Sequence, residues 1–411
     1  MPRPRYEGRS IVNVSVSVFD ASGGRASGDP PLAPALDADL DPFGGRRATG
    51  PILLLLVDGL GEAELRGWRS QGSRRSRRWS ERARPISTVF PSTTTAALTS
   101  LSTGTPPARH GLVGYRQYLP TFGVVADLLK MSPVGIPVRD LLIGPRWRPE
   151  HLSGAPTLFR RGLSAAAVTR EQFRATGFTR LLYDGAEFVG YATGTDLARS
   201  VARVLGRARP PPVVFAYWDE LDTIQHLRGL DPSLIALELE RMAHLLEHVA
   251  GSLPSGRREK VTVVVTGDHG QVPASIGARI RLESDPRIVA ELARPLAGDR
   301  RAGFLLARPG RTSALRRALG RVLPRGSRIL GMPEALDAGL FGPPPFHPEI
   351  DQRLGDLLVL VPSPGGLTYL TPGAEPKSRH LYGAHGGLEP AEMVVPLITG
   401  PLSAFEPPRK R

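Results

Sequence analysis

The sequence predicts a doubly wound α/β fold, in which a mostly parallel sheet lies between two layers of helices. Continuous apolar runs at 52–57 and within 211–222 and 260–270 have the length and composition of strands buried on both faces of a parallel sheet. Stretches with helical periodicity, such as 196–208 and 232–253, alternate with these runs. A chain of 411 residues is also long enough for one large α/β domain with insertions.

The composition is typical of a folded globular protein and indicates the charge of its ligands. Hydrophobic residues make up 41% of the chain and charged residues 22%, which argues against disorder. The formal net charge of +14 rests almost wholly on arginine and favours anionic partners, phosphate esters included. Nucleic-acid binding is not favoured, because the arginines are scattered and not interleaved with aromatic residues. The densest run, 69–85, is expected to form a solvated helix face or loop.

The chain contains no cysteine, which excludes disulfides and thiolate metal sites. No apolar run reaches 18 residues, so no membrane span is expected. Near the N-terminus, "IVNVSVSVF" at 11–19 alternates apolar and polar residues and predicts a strand. This segment lacks the continuous apolar core of a signal peptide, and a cytoplasmic location is therefore expected.

The rest of the chain can be divided by the same patterns. Residues 21–50 are rich in Gly, Pro, Asp and Ala and predict a loop. The segments "AGFLLARPG" (302–310) and "GDLLVLVPSPGG" (355–366) repeat the pattern of the buried strands less regularly. The expected organisation is an N-terminal extension at 1–50, one domain at 51–400 with an insertion or cap region at 271–355, and a basic tail at 401–411.

Several strands end in residue types that bind metal ions. In open α/β sheets, functional groups gather beyond the carboxyl ends of the strands. Asp222 and His226 are four residues apart, so a helical turn places both on one face. Taken singly, each such residue has an ordinary explanation as a surface pair, a turn or a cap. Together they form a nitrogen and oxygen donor set of the kind zinc accepts, which comprises Asp58, Asp222, His226, Asp268, His269 and His385.

A segment rich in hydroxyl groups, "VFPSTTTAALTSLSTGTPPARHG" at 89–111, supplies a candidate nucleophile. A polar linker and a helix cap are alternative explanations for its Ser and Thr residues. A hydroxyl at the start of a helix lies where the helix dipole also favours a phosphate oxyanion. Two metal ions about 4 Å apart form the clamp used in phosphoryl transfer, and they would make such a hydroxyl reactive at neutral pH.

The motifs "LLLLVDGLG", "TVFPSTTTAALTSLSTGTPPARHGLVGY", "YWDELDTIQH", "VVVTGDHG" and "YGAHGGLEPAEMVVPL" occur in this order and span 52–396. With them the chain resembles the alkaline phosphatase superfamily, and within it the type I phosphodiesterase/nucleotide pyrophosphatase group. The resemblance implies a three-layer α/β/α sandwich, a hydrolase of phosphate esters, and two divalent metal ions, with zinc favoured by the mixed His and carboxylate donors. It implies one ion at Asp222, His226 and His385, and the other at Asp58, Asp268 and His269 together with the nucleophile Thr94.

The position of the nucleophile depends on which family landmark is used. Counting back ten residues from Gly104 of the Thr-Gly pair selects Thr94, which would form a covalent phosphothreonine. The position directly before the Phe-Pro pair is Val89, which has no nucleophilic group. Thr94 is preferred because the Thr-Gly landmark also preserves the register of the His-Gly pair, while Thr93 and Thr95 stay open as alternatives.

Substrate recognition departs from the pattern of the pyrophosphatases. Where these enzymes have an Asn that helps to bind the phosphoryl oxygen, this chain has Tyr115. Arg116, or alternatively Arg109, is expected to supply positive charge in its place. The expected partner is a small phosphate ester or nucleotide, and no pattern indicates an oligomeric state.

Four other functions are compared with this interpretation. A phosphomonoesterase of the same superfamily and a non-catalytic, Arg-rich nucleic-acid-associated protein are the alternatives. A sulfatase is disfavoured by the absence of cysteine and by the threonine at position 94, and a mutase by the lack of residues that would identify a phosphate acceptor.

Overall fold

The computed structural model describes residues 2–24, 30–370 and 381–406. Its strands are β1 (Ile52–Val57), β2 (Ala83–Ser87), β3 (Arg116–Leu119), β4 (Val124–Asp127), β5 (Ser132–Pro133), β6 (Ala165–Arg170), β7 (Glu187–Tyr191), β8 (Val213–Trp218), β9 (Thr262–Gly267), β10 (Val272–Pro273), β11 (Arg279–Arg281), β12 (Ala297–Gly298), β13 (Ala302–Leu305), β14 (Arg328–Gly331), β15 (Leu357–Leu360), β16 (Gly366–Thr368), β17 (Gly383–Ala384) and β18 (Val394–Pro401).

The strands are connected by helices and short 3₁₀ turns. The helices are α1 (Ile11–Ala21), α2 (Glu62–Ser70), α3 (Arg74–Arg82), α4 (Thr94–Thr103), α5 (Pro107–His110), α6 (Gly177–Leu182), α7 (Gly194–Leu205), α8 (Glu220–Arg228), α9 (Pro232–Gly251), α10 (Ser255–Arg258), α11 (Pro286–Val289), α12 (Thr312–Val322), α13 (Met332–Asp337), α14 (Ile350–Leu354) and α15 (Pro390–Met393).

The predicted α/β fold is confirmed. The main sheet has the strand order β2-β18-β9-β1-β8-β6-β7, and the strands from β9 to β7 are parallel. Alternate residues of β1 point into different cores: Leu54 packs with α1, α4 and α6 on one face, and Leu55 packs with α2, α7 and α9 on the other. This burial on both faces explains the continuous apolar runs. The result is a three-layer α/β/α sandwich.

The prediction of a strand near the N-terminus is wrong, because residues 11–21 form helix α1. Its polar residues lie in the core but are hydrogen-bonded: Asn13 Nδ2 donates to the carbonyl of Pro34 at 2.8 Å, and Ser17 Oγ accepts from the amide of Leu36 at 2.9 Å. The alternating pattern therefore marks a helix buried nearly all round, whose small polar side chains hold the following loop.

The segments 302–310 and 355–366 do not extend the main sheet, which corrects a second expectation. They supply β13 and β15 to a separate antiparallel sheet, called here the second sheet, with the order β14-β15-β13-β12-β3-β4-β5. Apolar runs look alike in both sheets, because the core strands of the second sheet are also buried. Strands β3 to β5 precede the 271–355 region, so the second sheet is built from two distant parts of the chain.

The Arg-rich run at 69–85 includes the surface helix α3, where Arg75 pairs with Glu247 at 2.9 Å. Within the described residues, no helix has the length and apolar character needed to span a membrane. Of the expected basic tail, 407–411 lie outside the described residues.

Candidate active site

The candidate site lies at the carboxyl ends of three adjacent parallel strands of the main sheet. Val57, the last residue of β1, is in register with Trp218 at the end of β8 and with Gly267 at the end of β9. The residues that follow these strands therefore leave the sheet at one level. Asp58 and the Asp268-His269 pair lie next to one another for this reason.

One group of candidate metal ligands consists of Asp58, Asp268 and His269. A ligand atom from each residue lies within 4.8 Å of the others, and all three residues are buried. The Nε2 atom of His269 is 3.5 Å from Oδ1 of Asp58 and 3.4 Å from Oδ2 of Asp268. These are the residues that the family resemblance assigns to one ion.

A second group consists of Asp222, His269 and His385, again with ligand atoms within 4.8 Å. The imidazoles of His269 and His385 stack with centroids 3.7 Å apart. His226 belongs to neither group, but its Nε2 is 3.3 Å from Oδ1 of Asp222, as expected for residues four apart in α8. His269 thus belongs to both groups, whereas the resemblance assigns it to one ion.

The carboxylates of these groups fit a bound cation. Oδ1 of Asp58 and Oδ2 of Asp268 are buried without a hydrogen-bond partner. Burial raises the pKa of Asp58, Asp222 and Asp268, and the other two carboxylates raise that of Asp58 further. Buried carboxylates without partners are unfavourable, and a divalent cation held by oxygen and imidazole donors would relieve that cost.

Neighbouring groups orient these ligands, and the sequence analysis did not identify them. The hydroxyl of Tyr217 donates to Asp58, and the side-chain amide of Gln271 donates to Asp222. The backbone amide of Gly59 donates to Oδ1 of Asp268 at 3.0 Å. Tyr217 lies on β8, and Gln271 follows His269 by two residues. Closeness in sequence to the predicted metal ligands was therefore the signal that could have identified them. Such partners fix the ligand atom that faces a metal.

The two other imidazoles are oriented by backbone carbonyls. Nδ1 of His226 lies 2.9 Å from the carbonyl of Gly383, and Nδ1 of His385 lies 3.0 Å from the carbonyl of Ser92. Burial lowers the pKa of His385 and of His269, which keeps both rings neutral. A neutral ring whose Nδ1–H is bound in this way presents Nε2 as a free ligand atom.

Of the candidate hydroxyl groups, that of Thr94 faces the ligand groups. Its Oγ1 is 3.2 Å from Nε2 of His269. The hydroxyl of Thr93 donates instead to Asp299 at 3.1 Å, and that of Thr95 to the carbonyl of Gly114 at 2.9 Å. Val89 is fully buried in the core. The geometry thus distinguishes Thr94 from the alternatives that the sequence left open.

Thr94 is also the first residue of helix α4. The backbone amides of a first helical turn have no partners within the helix, and the helix dipole adds positive potential there. An oxyanion next to the Thr94 hydroxyl would therefore be stabilised by the helix as well as by metal ions.

The expected substrate-binding residues lie just before β3 and at its start. The second sheet, to which β3 belongs, meets the site where Asp299 binds Thr93 and is called here its other wall. Tyr115 donates its backbone amide to Oδ2 of Asp299 at 3.2 Å, while its phenol interacts with Asp127. Arg116 is the first residue of β3 and pairs with Gly298 of β12. Arg109 is not available as an anion clamp, because it donates to backbone carbonyls, including that of Pro344 at 2.7 Å.

Two residues that the sequence analysis missed, Asp299 and Arg300, lie in the turn between β12 and β13. The carboxylate of Asp299 joins Thr93 to Tyr115 through the hydrogen bonds given above, and burial is the main reason that its pKa is raised to about 7. Burial is the main cause that lowers the pKa of His385, followed by the imidazoles of His269 and His226, and the charge of Arg300 makes a smaller contribution. The polar turn "GDRRAG" at 298–303, between two apolar strands, was the only sequence signal.

Comparisons with known proteins identify the family and the fold. A profile of the family described as type I phosphodiesterase / nucleotide pyrophosphatase matches residues 52–387. A search of curated proteins found no match. Murine ectonucleotide pyrophosphatase/phosphodiesterase 5 superposes with a TM-score of 0.63 at 16% sequence identity, covering 84% of this chain and 87% of that protein. An inactive variant of the murine protein in complex with AMP gives 0.62 at 16%, covering 86% and 88%.

A bacterial enzyme shares the fold as well. Phosphonoacetate hydrolase from Sinorhizobium meliloti 1021, solved in complex with phosphonoacetate, superposes with a TM-score of 0.60 at 20% identity, covering 90% of this chain and 94% of that protein. At these identities the structural likeness establishes the fold, and the profile match to most of the chain establishes the family.

Proposed function

We propose that this chain, a member of the type I phosphodiesterase / nucleotide pyrophosphatase family and therefore a phosphoester hydrolase, cleaves phosphodiester or pyrophosphate bonds. The bond is cleaved through covalent attack by Thr94. The observation that carries this proposal is the placement of one threonine hydroxyl, among three adjacent ones, against the ligand groups. A small phosphorus-containing ligand is in keeping with the AMP and phosphonoacetate found in proteins of the same fold.

The residues of the candidate site have two roles: most would bind metal ions, and Thr94 is the nucleophile. Two divalent cations, with zinc favoured by the mixed donors, would supply charge that lowers the pKa of the attacking hydroxyl and stabilises the leaving oxygen. One ion would be bound by Asp58, Asp268 and His269, and the other by Asp222, His226 and His385. Tyr217 and Gln271 hold two of these carboxylates in orientation.

Thr94 performs the covalent step. Its Oγ1 forms a bond to phosphorus as the bond from phosphorus to the leaving oxygen breaks, the hydroxyl proton passes to solvent, and the leaving oxygen takes up a proton from solvent. Water then attacks phosphorus, releases the product and restores the threonine. The first-turn amides of α4 stabilise the negative charge that develops on the phosphoryl oxygens.

The test compares three variants that each remove one hydroxyl and keep the side-chain shape. Hydrolysis of bis-p-nitrophenyl phosphate and of p-nitrophenyl phosphate is measured for zinc-loaded wild type, Thr94→Val, Thr93→Val and Thr95→Val. We expect Thr94→Val to lose at least about a thousandfold in kcat, and the other two to lose far less, since their hydroxyls have structural partners.

Each outcome of this assay is informative. Full turnover in Thr94→Val, with loss in Thr93→Val or Thr95→Val, would assign the nucleophile to a neighbour and overturn the proposal. Faster turnover of the diester by wild type would support a phosphodiesterase, whereas faster turnover of the monoester would make the enzyme a phosphomonoesterase.

A further inference from the structure

The turn between β12 and β13 brings a cationic side chain to the second wall of the site. Asp299 in this turn binds Thr93, the neighbour of the proposed nucleophile. The same carboxylate packs against the loop that carries His385: a Cβ atom added to Gly386 would lie 2.6 Å from Cβ of Asp299. The turn that carries Arg300 therefore lies against the loop of His385, and the charge of Arg300 is one of the smaller causes that lower the pKa of His385.

Arg300 differs sharply from the arginine that follows it. The guanidinium of Arg301 is buried and binds Glu392 at 3.1 and 3.2 Å as well as Glu389. Within the described parts of the chain, the guanidinium of Arg300 makes no hydrogen bond and no ion pair. The backbone carbonyl of Arg300 is bound by the amide of Leu367 at 2.7 Å, so the turn itself is ordered.

A second cation lies next to Arg300. Arg116 on β3 pairs in register with Gly298, two residues before Arg300, and its guanidinium also has no hydrogen bond or ion pair among the described residues. Burial, together with the positive charges of Arg279 and Arg116, lowers the pKa of Arg300 to about 10. The carboxylate of Asp299 interacts with the charge of Arg116 and accepts hydrogen bonds from the Thr93 hydroxyl and the Tyr115 amide.

A largely buried guanidinium beside another cation is unfavourable unless an anion accompanies it. Guanidinium groups bind carboxylates and phosphates through paired hydrogen bonds. We propose that Arg300 and Arg116 form a subsite for a second anionic group of the substrate, a carboxylate or a phosphate located beyond the phosphoryl group that Thr94 attacks. This inference rests on the proposed function and names the class of substrate: phosphate esters that carry an additional negative charge.

The alternative role for Arg300, binding the oxygens of the attacked phosphoryl group, is less well supported by the arrangement. The Thr94 hydroxyl lies against the ligand groups and at the start of α4, which already provide for that charge. Arg300 and Arg116 belong to the opposite wall, the second sheet. The two roles predict different kinetics and can be separated.

The experiment uses three ligands that differ in one group. Ethyl phosphate has no second anion, phosphoglycolate has a carboxylate in place of the methyl group, and ethylene glycol bisphosphate has a second phosphate. Each is tested as a competitive inhibitor of bis-p-nitrophenyl phosphate hydrolysis by zinc-loaded wild type and Arg300→Gln. The matched control is Arg311→Gln, an exposed arginine whose guanidinium is paired with Glu291 at 2.6 Å.

For wild type and Arg311→Gln we expect at least one of the two ligands with a second anionic group to bind about tenfold or more tightly than ethyl phosphate. The ligand that does so identifies the second group as a carboxylate or a phosphate. In Arg300→Gln we expect this preference to fall to about threefold or less, with little change for ethyl phosphate.

Two results would overturn the subsite. The first is an unchanged preference in Arg300→Gln, and the second is an equal loss of affinity for all three ligands, which would place Arg300 on the attacked phosphoryl group. If the proposed function fails, the result is different, because zinc-loaded wild type would not hydrolyse the reporter ester. The affinities of the three ligands for the same proteins would then be measured by calorimetry and judged by the same ratios.

Discussion

The two walls of the site differ in charge and in how their polar atoms are satisfied. On the main sheet, carboxylates and imidazoles crowd together, and buried oxygens of Asp58 and Asp268 have no hydrogen-bond partner. On the second sheet, the guanidinium groups of Arg116 and Arg300 make no hydrogen bond or ion pair with the described residues. One wall is thus built for cations and the other for anions. The difference suggests that the main sheet sets the type of reaction, and the second sheet selects the substrate.

The largest effect is expected from removing one charge on the main-sheet wall. In Asp58→Asn, turnover of bis-p-nitrophenyl phosphate should fall by roughly a thousandfold, because a metal ligand is lost. In chelator the free energy of unfolding of the same variant should be about 1–2 kcal/mol higher than that of wild type, since the negative charge of a buried carboxylate close to two others is removed. The hydrolysis assay measures the first effect, and calorimetry in chelator, with zinc content as a control, measures the second. A variant less stable than wild type in chelator would contradict the metal-site interpretation.

The second prediction compares two adjacent arginines of the second-sheet wall. Arg301→Met should lower the free energy of unfolding by about 3–5 kcal/mol, because it leaves the buried Glu392 without its partner. Arg300→Met should change it by less than about 1 kcal/mol, since no partner is left behind. Urea denaturation of both variants gives these values. If both variants lose the same free energy of unfolding, Arg300 has a structural role like that of Arg301. The proposed difference between the two walls would then be wrong.

A smaller effect is expected where the two walls meet. Asp299→Ala removes the acceptor that joins Thr93 to Tyr115, so the start of α4 should be positioned less accurately against the second sheet. We expect a ten- to hundredfold fall in kcat with unchanged zinc content, while the control Asp285→Ala, at a partly buried aspartate paired with Arg287, keeps wild-type activity. If zinc content falls in parallel with kcat, Asp299 positions the metal ligands and does not position Thr94.

The sequence predicted the main-sheet wall better than the second-sheet wall for a physical reason. Asp58, Asp222 and Asp268 follow apolar strands, and parallel strands must bring such residues to one edge. Thr94 was selected through the register of a family motif, and its hydroxyl lies in contact with His269.

The remaining features depend on contacts that a sequence pattern does not encode. Helix α1 was mistaken for a strand because its polar residues are satisfied by a distant loop, as Asn13 is by Pro34. The turn that carries Asp299 and Arg300 lies between short strands whose apolar residues resemble those of the main sheet. Its place in the site is set by pairing with β3, about 180 residues earlier in the chain.

The central claim, that Thr94 attacks phosphorus, is tested most directly by the stereochemistry of the reaction. A phosphorothioate diester of known configuration with a p-nitrophenyl leaving group is hydrolysed in isotopically labelled water, and the configuration of the product is determined. Two successive in-line displacements, the first by Thr94 and the second by water, predict net retention at phosphorus. Net inversion would show that water attacks the substrate directly and would contradict the covalent role of Thr94.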